Sequence, residues 1–388
     1  MENKKQFYFN GFSSDIVVYN DSVPNKINIT DFTKIYDCVL EREFNMNSSS
    51  IKKYKVNDEV YIDGLDEEGK LTVSKIDYIM HKEGTSDNAL YELEYNSDVS
   101  VISNIAIFDN KKNKVIISPI KDIEQKFVIQ NIGKYSNVLL DDYNNINLNI
   151  KNGFIIGYWI LRGGFNKIEK NAEDDFICFK GKEPDSDFMS NILNETFSNS
   201  TSFRKKSIKD FEFLVIINEE LQEFITSKFG KKILPEWLLQ VNDDFIKGIF
   251  YSFIYCRSYL SKDKLGNSYL VVLNRNKELL EQLTFLLKQK LGIYSKFIAT
   301  NDSSLSFKIN QKLFELLANG VEEKLINLDI ESINISETKE FFVKGYNYKI
   351  LPWYKLKFKE NNEVEHSYTL KLNNNKVFML SNGLFVLG

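Results

Sequence analysis

Histidine and cysteine are nearly absent, with two histidines and three cysteines in 388 residues. Cys38, Cys178 and Cys256 lie far apart, and no two form a CxxC pair. A zinc site built from Cys and His needs about four ligands at close spacing. The sequence therefore predicts no structural zinc. Scattered thiols fit a reducing compartment. Proline is scarce too, with 5 residues. No stretch reaches the roughly 20 apolar residues that cross a bilayer as a helix. The amino end, MENKKQFYFN, lacks the apolar core of a signal peptide. A basic excess is also missing: the net charge is −4 and the pI about 5.6, whereas proteins that live on nucleic acid usually carry one.

What the sequence does have is aromatic and amide side chains, including 30 Phe and 20 Tyr. The abundance of Asn, Lys, Ile, Phe and Tyr is what an AT-rich coding sequence produces, so it carries little functional weight. Hydrophobic residues make up 43% and charged residues 27%, an ordinary balance for a globular protein. The length suffices for two or three domains with sizeable cores.

The patterning changes twice along the chain. From Phe7 to about Gln130 short β-rich runs follow one another: Asp15–Tyr19, Tyr54–Ile62, Lys70–Ile79, Leu90–Tyr95, Val99–Phe108 and Lys114–Ile117. From about Gly153 helical spacing takes over. Gly153–Phe165 and Val241–Leu260 are long apolar runs of helical length. Ser186–Phe197, Glu219–Phe229, Lys277–Leu291 and Gln311–Ala318 are further helices, and Tyr269–Leu273 is a strand. From about Glu340 the chain is β again, with runs at Phe341–Val343, Tyr354–Phe358, Tyr368–Leu372, Val377–Leu380 and Leu384–Leu387. A weak internal repeat relates Gly153–Phe165 to Phe245–Leu260. The expected class is α+β: one all-β domain built from both chain ends and interrupted by an α+β insertion.

Two segments carry a family resemblance. Ile155–Gly164 (IIGYWILRGG) looks like the first half of an intein-borne LAGLIDADG homing endonuclease. Ile233–Leu239 (ILPEWLL), Asp244–Phe250 (DFIKGIF), a strand, then Lys277–Leu287 (KELLEQLTFLL) and Leu291–Ile293 resemble the second half. The resemblance implies two helices packed side by side, with Gly157, Gly163, Gly248 and Ser252 allowing close approach. It also implies a pseudo-two-fold αββαββ domain over 133–334. Each helix of the family ends in an acidic residue, five positions after the motif's first Gly, and the two carboxylates hold a divalent cation at the scissile phosphates. Here those positions are Arg162 and Phe253, neither of which ligates a cation. Asp174 and Asp175 read as solvated loop acids.

The flanking β segments, 1–132 and 335–388, resemble the Hint splicing domain of inteins. Gly11–Val18 (GFSSDIVV) matches the entry strand, Val99–Phe108 the segment carrying Thr-x-x-His, and Tyr368–Leu372 with Val377–Gly388 the closing strands. The family's splicing chemistry needs a thiol or hydroxyl nucleophile, an internal His, and a terminal His-Asn. The matching positions are Gly11, Ala106, Leu387 and Gly388, with Ser103 in the helper place of Thr. Ten residues precede Gly11 and none follows Gly388, so no second flanking segment would be joined. Ser13 reads as a turn hydroxyl. His81 and His366 match no catalytic position and read as surface or turn histidines.

Neither splicing nor nuclease activity is therefore expected, and no cofactor or metal. The leading expectation is an inactive intein-derived protein reused as a structural or protein-interaction component, with partners in a phage or other viral assembly. It would sit in the cytoplasm or the virion, with no membrane. The alternative is a DNA-binding protein that does not cut. Residues 151–330 hold 25 basic and 24 acidic side chains, a weak balance for gripping a duplex. Candidate contacts are Arg162, the patch Arg204, Lys205, Lys206 and Lys209, and the patch Arg257, Lys262 and Lys264. Both patches also read as solvated loops.

Overall fold

The structure is a computed structural model of the chain. It describes residues 12–21, 23–46, 49–84, 90–95, 98–109, 111–112, 114–123, 127–131, 140–143, 146–167, 175–181, 183–197, 202–208, 211–298, 303–336, 341–342, 348–352, 356–361 and 364–388. The chain divides into two compact units: Met1–Ser136 with Lys339–Gly388, and Asn137–Thr338.

The first unit is built of strands from both chain ends. The leading segment supplies β1 (Phe12–Ser13), β2 (Asp15–Asn20), β3 (Val23–Asn28), the single-turn helix α1 (Phe32–Ile35), β4 (Cys38–Met46), β5 (Ser49–Val56), β6 (Val60–Leu65), β7 (Leu71–Glu83), β8 (Tyr91–Tyr95), β9 (Asp98–Ile102), β10 (Asn104–Asp109), β11 (Lys114–Pro119) and β12 (Phe127–Asn131). The inserted unit opens with a short hairpin of β13 (Asp142–Tyr143) and β14 (Ile146–Asn147). Two runs of like order follow. The first is α2 (Ile150–Arg162), β15 (Gly163–Lys167), β16 (Asp175–Gly181), α3 (Glu183–Thr196), β17 (Ser202–Ile208), β18 (Phe211–Ile217) and α4 (Glu219–Phe229). The second is α5 (Asp243–Arg257), β19 (Ser258–Lys262), β20 (Ser268–Leu273), α6 (Lys277–Leu286), β21 (Lys296–Ile298), β22 (Ser304–Lys308) and α7 (Gln311–Glu322). The closing segment returns to strands: β23 (Phe341–Phe342), β24 (Tyr348–Pro352), β25 (Lys357–Glu360), β26 (His366–Leu372), β27 (Val377–Met379) and β28 (Phe385–Leu387).

The strands of the first unit close into a barrel in which the two chain segments interleave. β26 pairs with β7 and β1, β25 with β8, β24 with β12, β27 with β6, and β28 with β10. Strand alternation sorts the side chains, as β6 shows: Val60 and Ile62 are buried while Tyr61 and Asp63 are less so. In β7 one extra residue, Asp77, shifts the register against β26 between Lys371 and Leu372. This bulge breaks the alternation, so Ile76 and Ile79 are both fully buried.

Several sequence expectations need correction here. Tyr54–Ile62 is two strands, separated by a turn at 57–59, and Val99–Phe108 is two strands separated at Ser103. β3 and β4 escape the sequence pattern because little of them is apolar and inward: in β3 only Pro24 and Ile27 are buried. His81 and His366 are in strands rather than turns; His366 is on the surface and His81 is partly buried. Of the run Tyr354–Phe358, residues 353–355 lie outside the described residues, and a strand begins at Lys357.

Asp63 sets one pH dependence of the first unit. Its carboxylate accepts a 2.7 Å hydrogen bond from the Tyr19 hydroxyl. Burial of the carboxyl still outweighs that bond and raises its pKa from 3.8 to about 6. Its protonated form is favoured on folding, so this contribution to stability is full below about pH 4 and is lost as pH rises through 6. Asp63→Asn is expected to remove that loss. Thermal midpoints of the variant and parent measured between pH 4.5 and 7.5 should therefore diverge as pH rises.

In the second unit every long helix with a described amino end is started by asparagine. Asn149, Asn218, Asn242, Asn276 and Asn310 each accept a hydrogen bond from a backbone N–H in the first turn. The asparagine richness that an AT-rich coding sequence produces thus also marks five helix starts. Asn242→Ala is expected to destabilise the second unit by about 1 kcal/mol, measurable by urea unfolding. The helices and the inward faces of the strands share one core, centred on Phe154, Tyr158, Trp159, Phe250 and Tyr251.

Candidate nucleic-acid interface

The second unit is organised about α2 and α5, which lie backbone to backbone. A Cβ added at Gly153 would meet the Phe245 carbonyl oxygen at 2.0 Å, and one at Gly248 would meet that of Ile150 at the same distance. Between them, a Cβ at Gly157 would fall 2.0 Å from the Ser252 hydroxyl. Small residues at these four positions are what permit the approach. Gly163, expected to share this role, does not. It begins β15, where a Cβ would strike the Trp159 ring at 2.2 Å.

These contacts define an internal two-fold relation. One constant shift in numbering carries Ile150 to Phe245, Gly153 to Gly248 and Gly157 to Ser252. It also carries Gly163, the first residue of β15, to Ser258, the first of β19. The same shift carries Arg162, the last residue of α2, to Arg257, the last of α5. The two helices therefore end in a symmetric pair of arginines. The sequence match places Phe253 opposite Arg162, and the structure overturns it. Phe253 is four residues short of the end of α5, 1% exposed and part of the core. That match pairs Gly157 with Gly248, but the position facing Gly157 is filled by Ser252.

Arg162 is half-buried and donates from Nη2 to the Cys256 carbonyl at 3.1 Å. This bond ties it to the last turn of α5, one residue before Arg257. Its guanidinium lies 5.7 Å from the Tyr158 ring centre. Arg257 is exposed. Beside the end of α2, Lys232 donates to the Gly163 carbonyl and lies 5.4 Å from the Trp159 ring. Burial lowers the Lys232 pKa, partly offset by the Cys178 thiol, whose own pKa burial raises.

Each helix leads into a four-stranded antiparallel sheet of the same order, β15-β16-β18-β17 and β19-β20-β22-β21. In the first ladder Gly164, Cys178, Val215 and Arg204 lie in one row. The corresponding row of the second is Tyr259, Val271, Ser306 and Lys296. Both rows end on a cationic residue. Ile177, Phe179, Leu214 and Ile216 pack into the helical core, while Cys178, Val215 and Val271 do not belong to it. They mark the opposite face of each sheet.

Charge is sorted between these layers. The eight strands carry Lys167, Lys180, Arg204, Lys205, Lys206, Lys262, Lys296 and Lys308, against only Asp175 and Glu212. The four outer helices α3, α4, α6 and α7 reverse this, with eleven acidic residues and three basic ones. The near-neutral total over 151–330 hides two layers of opposite sign.

The candidate contacts divide accordingly. Arg162 and Arg257 come together at the helix ends. Arg204, Lys205 and Lys206 are in β17 rather than a loop, and their side chains lie outside the described residues, as does Lys209 altogether. Lys262 ends β19, and Lys264 is in the turn beyond it. Asp175 opens β16 rather than lying in a loop, and Asp174 is outside the described residues. Lys180, Lys296, Lys308 and Lys232 do not stand out in the sequence, since nothing in it reveals which strands are neighbours.

In the first unit Ala106 is fully buried in β10 opposite Ile117. Leu387 and Gly388 line a cavity of about 620 Å³. Gly11 lies outside the described residues. Its neighbour Phe12 pairs with Ile102 and Tyr368, and its ring centre is 4.9 Å from that of Phe378. Among the described residues no group of three or more His, Cys, Asp or Glu side chains is placed to hold a metal, and no helix is long and apolar enough to cross a membrane.

No protein-family model and no curated protein matches the chain. Solved structures similar to it include LAGLIDADG homing endonucleases. A variant of I-DmoI in complex with its target DNA is 14% identical, with 45% of this chain and 95% of that chain covered and a TM-score of 0.33. I-WcaI bound to its DNA recognition sequence is 16% identical, covering 50% and 89%, with a TM-score of 0.34. The amino-terminal LAGLIDADG domain of WhiA is 12% identical, covering 49% and 86%, with a TM-score of 0.29.

Proposed function

We propose that Asn137–Thr338 is a LAGLIDADG-derived domain that binds duplex DNA without cutting it, carried by a Hint-like β unit that no longer splices. The sorting of charge carries this reading. Duplex DNA presents one negative charge per roughly 1.7 Å of its axis. Of the charged residues in the strands of the two sheets, the registers place Lys180, Arg204, Lys206, Lys296 and Lys308, all basic, in the rows of the face opposite the helical core, where they supply the matching counter-charge. The acidic residues concentrate on the helices instead. Arg162 and Arg257 support the non-cutting half of the reading. In the family the sequence resembles, the helix-end pair presents carboxylates to a divalent ion. A guanidinium is cationic at every accessible pH and ligates no metal. Gly11, Ala106, Leu387 and Gly388 likewise offer no nucleophile, imidazole or cyclising amide.

Fluorescence anisotropy on labelled duplexes, including fragments of the source genome, tests this. Binding should weaken linearly in log affinity against log salt. It should be indifferent to chelation of divalent cations, and the DNA should be recovered uncut. No binding at roughly 10 µM protein in about 0.1 M salt would sink the reading. A structural component that works through protein partners would then be the better account. Magnesium-dependent cleavage would overturn the non-cutting half.

A further inference from the structure

The only two histidines of the chain are 285 residues apart in sequence and adjacent in the first unit. His81 is in β7 and His366 opens β26, its antiparallel neighbour. His81 Nε2 and His366 Nδ1 face each other at 3.1 Å, with ring centres 5.2 Å apart and planes tilted by 41°. We propose that this pair is a two-imidazole site for a borderline divalent transition metal of the zinc, nickel or copper class. No established or proposed activity of the chain uses it.

Spacing argues first. Metal–imidazole bonds are about 2.0–2.1 Å. Two nitrogens on one ion are therefore separated by about 2.8 Å at a square-planar right angle and about 3.3 Å at a tetrahedral one. The observed gap lies between these values, so the strands already hold the nitrogens at chelating distance, and turning the rings off their mutual hydrogen-bond line brings both lone pairs onto one ion. The surroundings support the His81 ring. Tyr368 stacks on His81 at 4.6 Å with planes 7° apart. On the far side of the His81 ring, Nδ1 is 3.9 Å from Glu83 Oε1. That separation is longer than a hydrogen bond, so Glu83 acts on the ring through its charge alone. The His81 tautomer with its proton on Nδ1 leaves the Nε2 lone pair on the side of His366. Glu83 is itself held by Lys52 at 2.9 Å. His366 is exposed and His81 partly so, leaving the outer face open for water to complete the coordination shell.

The site would have a structural consequence. β7 belongs to the leading chain segment and β26 to the closing one, so a bound ion would cross-link the two segments at their seam. Water ligands in the remaining positions imply micromolar rather than nanomolar affinity.

Isothermal titration of the full chain with Zn²⁺ or Ni²⁺ at pH 7.5 is expected to show one equivalent bound. The thermal midpoint should rise on addition, and the untagged protein should be retained on immobilised Ni²⁺. His81→Gln and His366→Gln should each weaken binding at least tenfold while leaving the circular dichroism spectrum unchanged. Binding should also disappear near pH 5, where protons displace the metal. No heat and no midpoint shift at about 1 mM metal would overturn the proposal, since such a site holds its ion well below that concentration. So would binding that survives both substitutions.

Discussion

Replacing Arg162 and Arg257 together by glutamine is expected to weaken duplex binding by roughly 10- to 100-fold at physiological salt and to lower the salt slope by about 2. Each arginine withdrawn from a phosphate leaves close to one counterion on the DNA, so two arginines change the slope by nearly two. The weakening should be the same on every duplex sequence, because a side chain on a phosphate positions the protein without reading bases. Folding should be little affected. Arg257 is exposed, and glutamine at 162 keeps a donor for the Cys256 carbonyl. Anisotropy titrations across a salt series give slope and affinity in one experiment. An unchanged slope alongside normal binding by the parent protein would show that the helix ends stand clear of the DNA. Weakening on one sequence only would point to base recognition instead.

Gly248→Ala is expected to cost about 3 kcal/mol or more of stability, although alanine is the better helix former by about 1 kcal/mol. The added methyl would sit 2.0 Å from the Ile150 carbonyl oxygen and 2.7 Å from the Phe154 nitrogen. Both are backbone atoms of α2, so no rotamer change relieves the clash, and the helices must separate. That opens the core around Phe154, Ile249 and Phe250, all fully buried. Gly164→Ala is the control. Its Cβ would find only the Cys178 sulfur, at 3.8 Å, and the change should be nearly neutral. Urea midpoints of the two variants separate a specific helix–helix requirement from a general effect of removing glycine. Equal midpoints would contradict the close-packed pair.

The helical pair is legible in the sequence because small residues at helical spacing among large apolar ones leave few other readings. Its ends are not. Gly163–Phe165 and Ser258–Leu260 prolong the apolar runs, but they belong to β15 and β19. Periodicity does not separate a helix from a strand that continues it with the same hydrophobicity. The error at Phe253 has a related cause. Matching glycine to glycine ties the close approach to one residue type, whereas the approach requires only small size, which Ser252 satisfies. The charge layers escape a reading along the chain for a different reason. Lys180, Lys296 and Lys308 are scattered in sequence, and only strand pairing brings them into line with Arg204 and Lys206. His81 and His366 show the same limit at its extreme, because their meeting depends wholly on which strand β26 chooses as its neighbour.

The interleaved barrel imposes an order on biosynthesis. β6, β7, β8, β10 and β12 are made early, yet their partners β24 to β28 follow only after an insertion of about 200 residues. Throughout translation of that insertion the leading strands keep open edges, which invite pairing with other chains. Among the described residues the strands of the inserted unit pair with one another, so it can fold first. The last 50 residues, Lys339–Gly388, then act as the closing step, and a ribosome stalled before them would hold a half-built sheet. Aggregation of nascent chain, more than equilibrium stability, is where damage to β26 or β28 would first be felt.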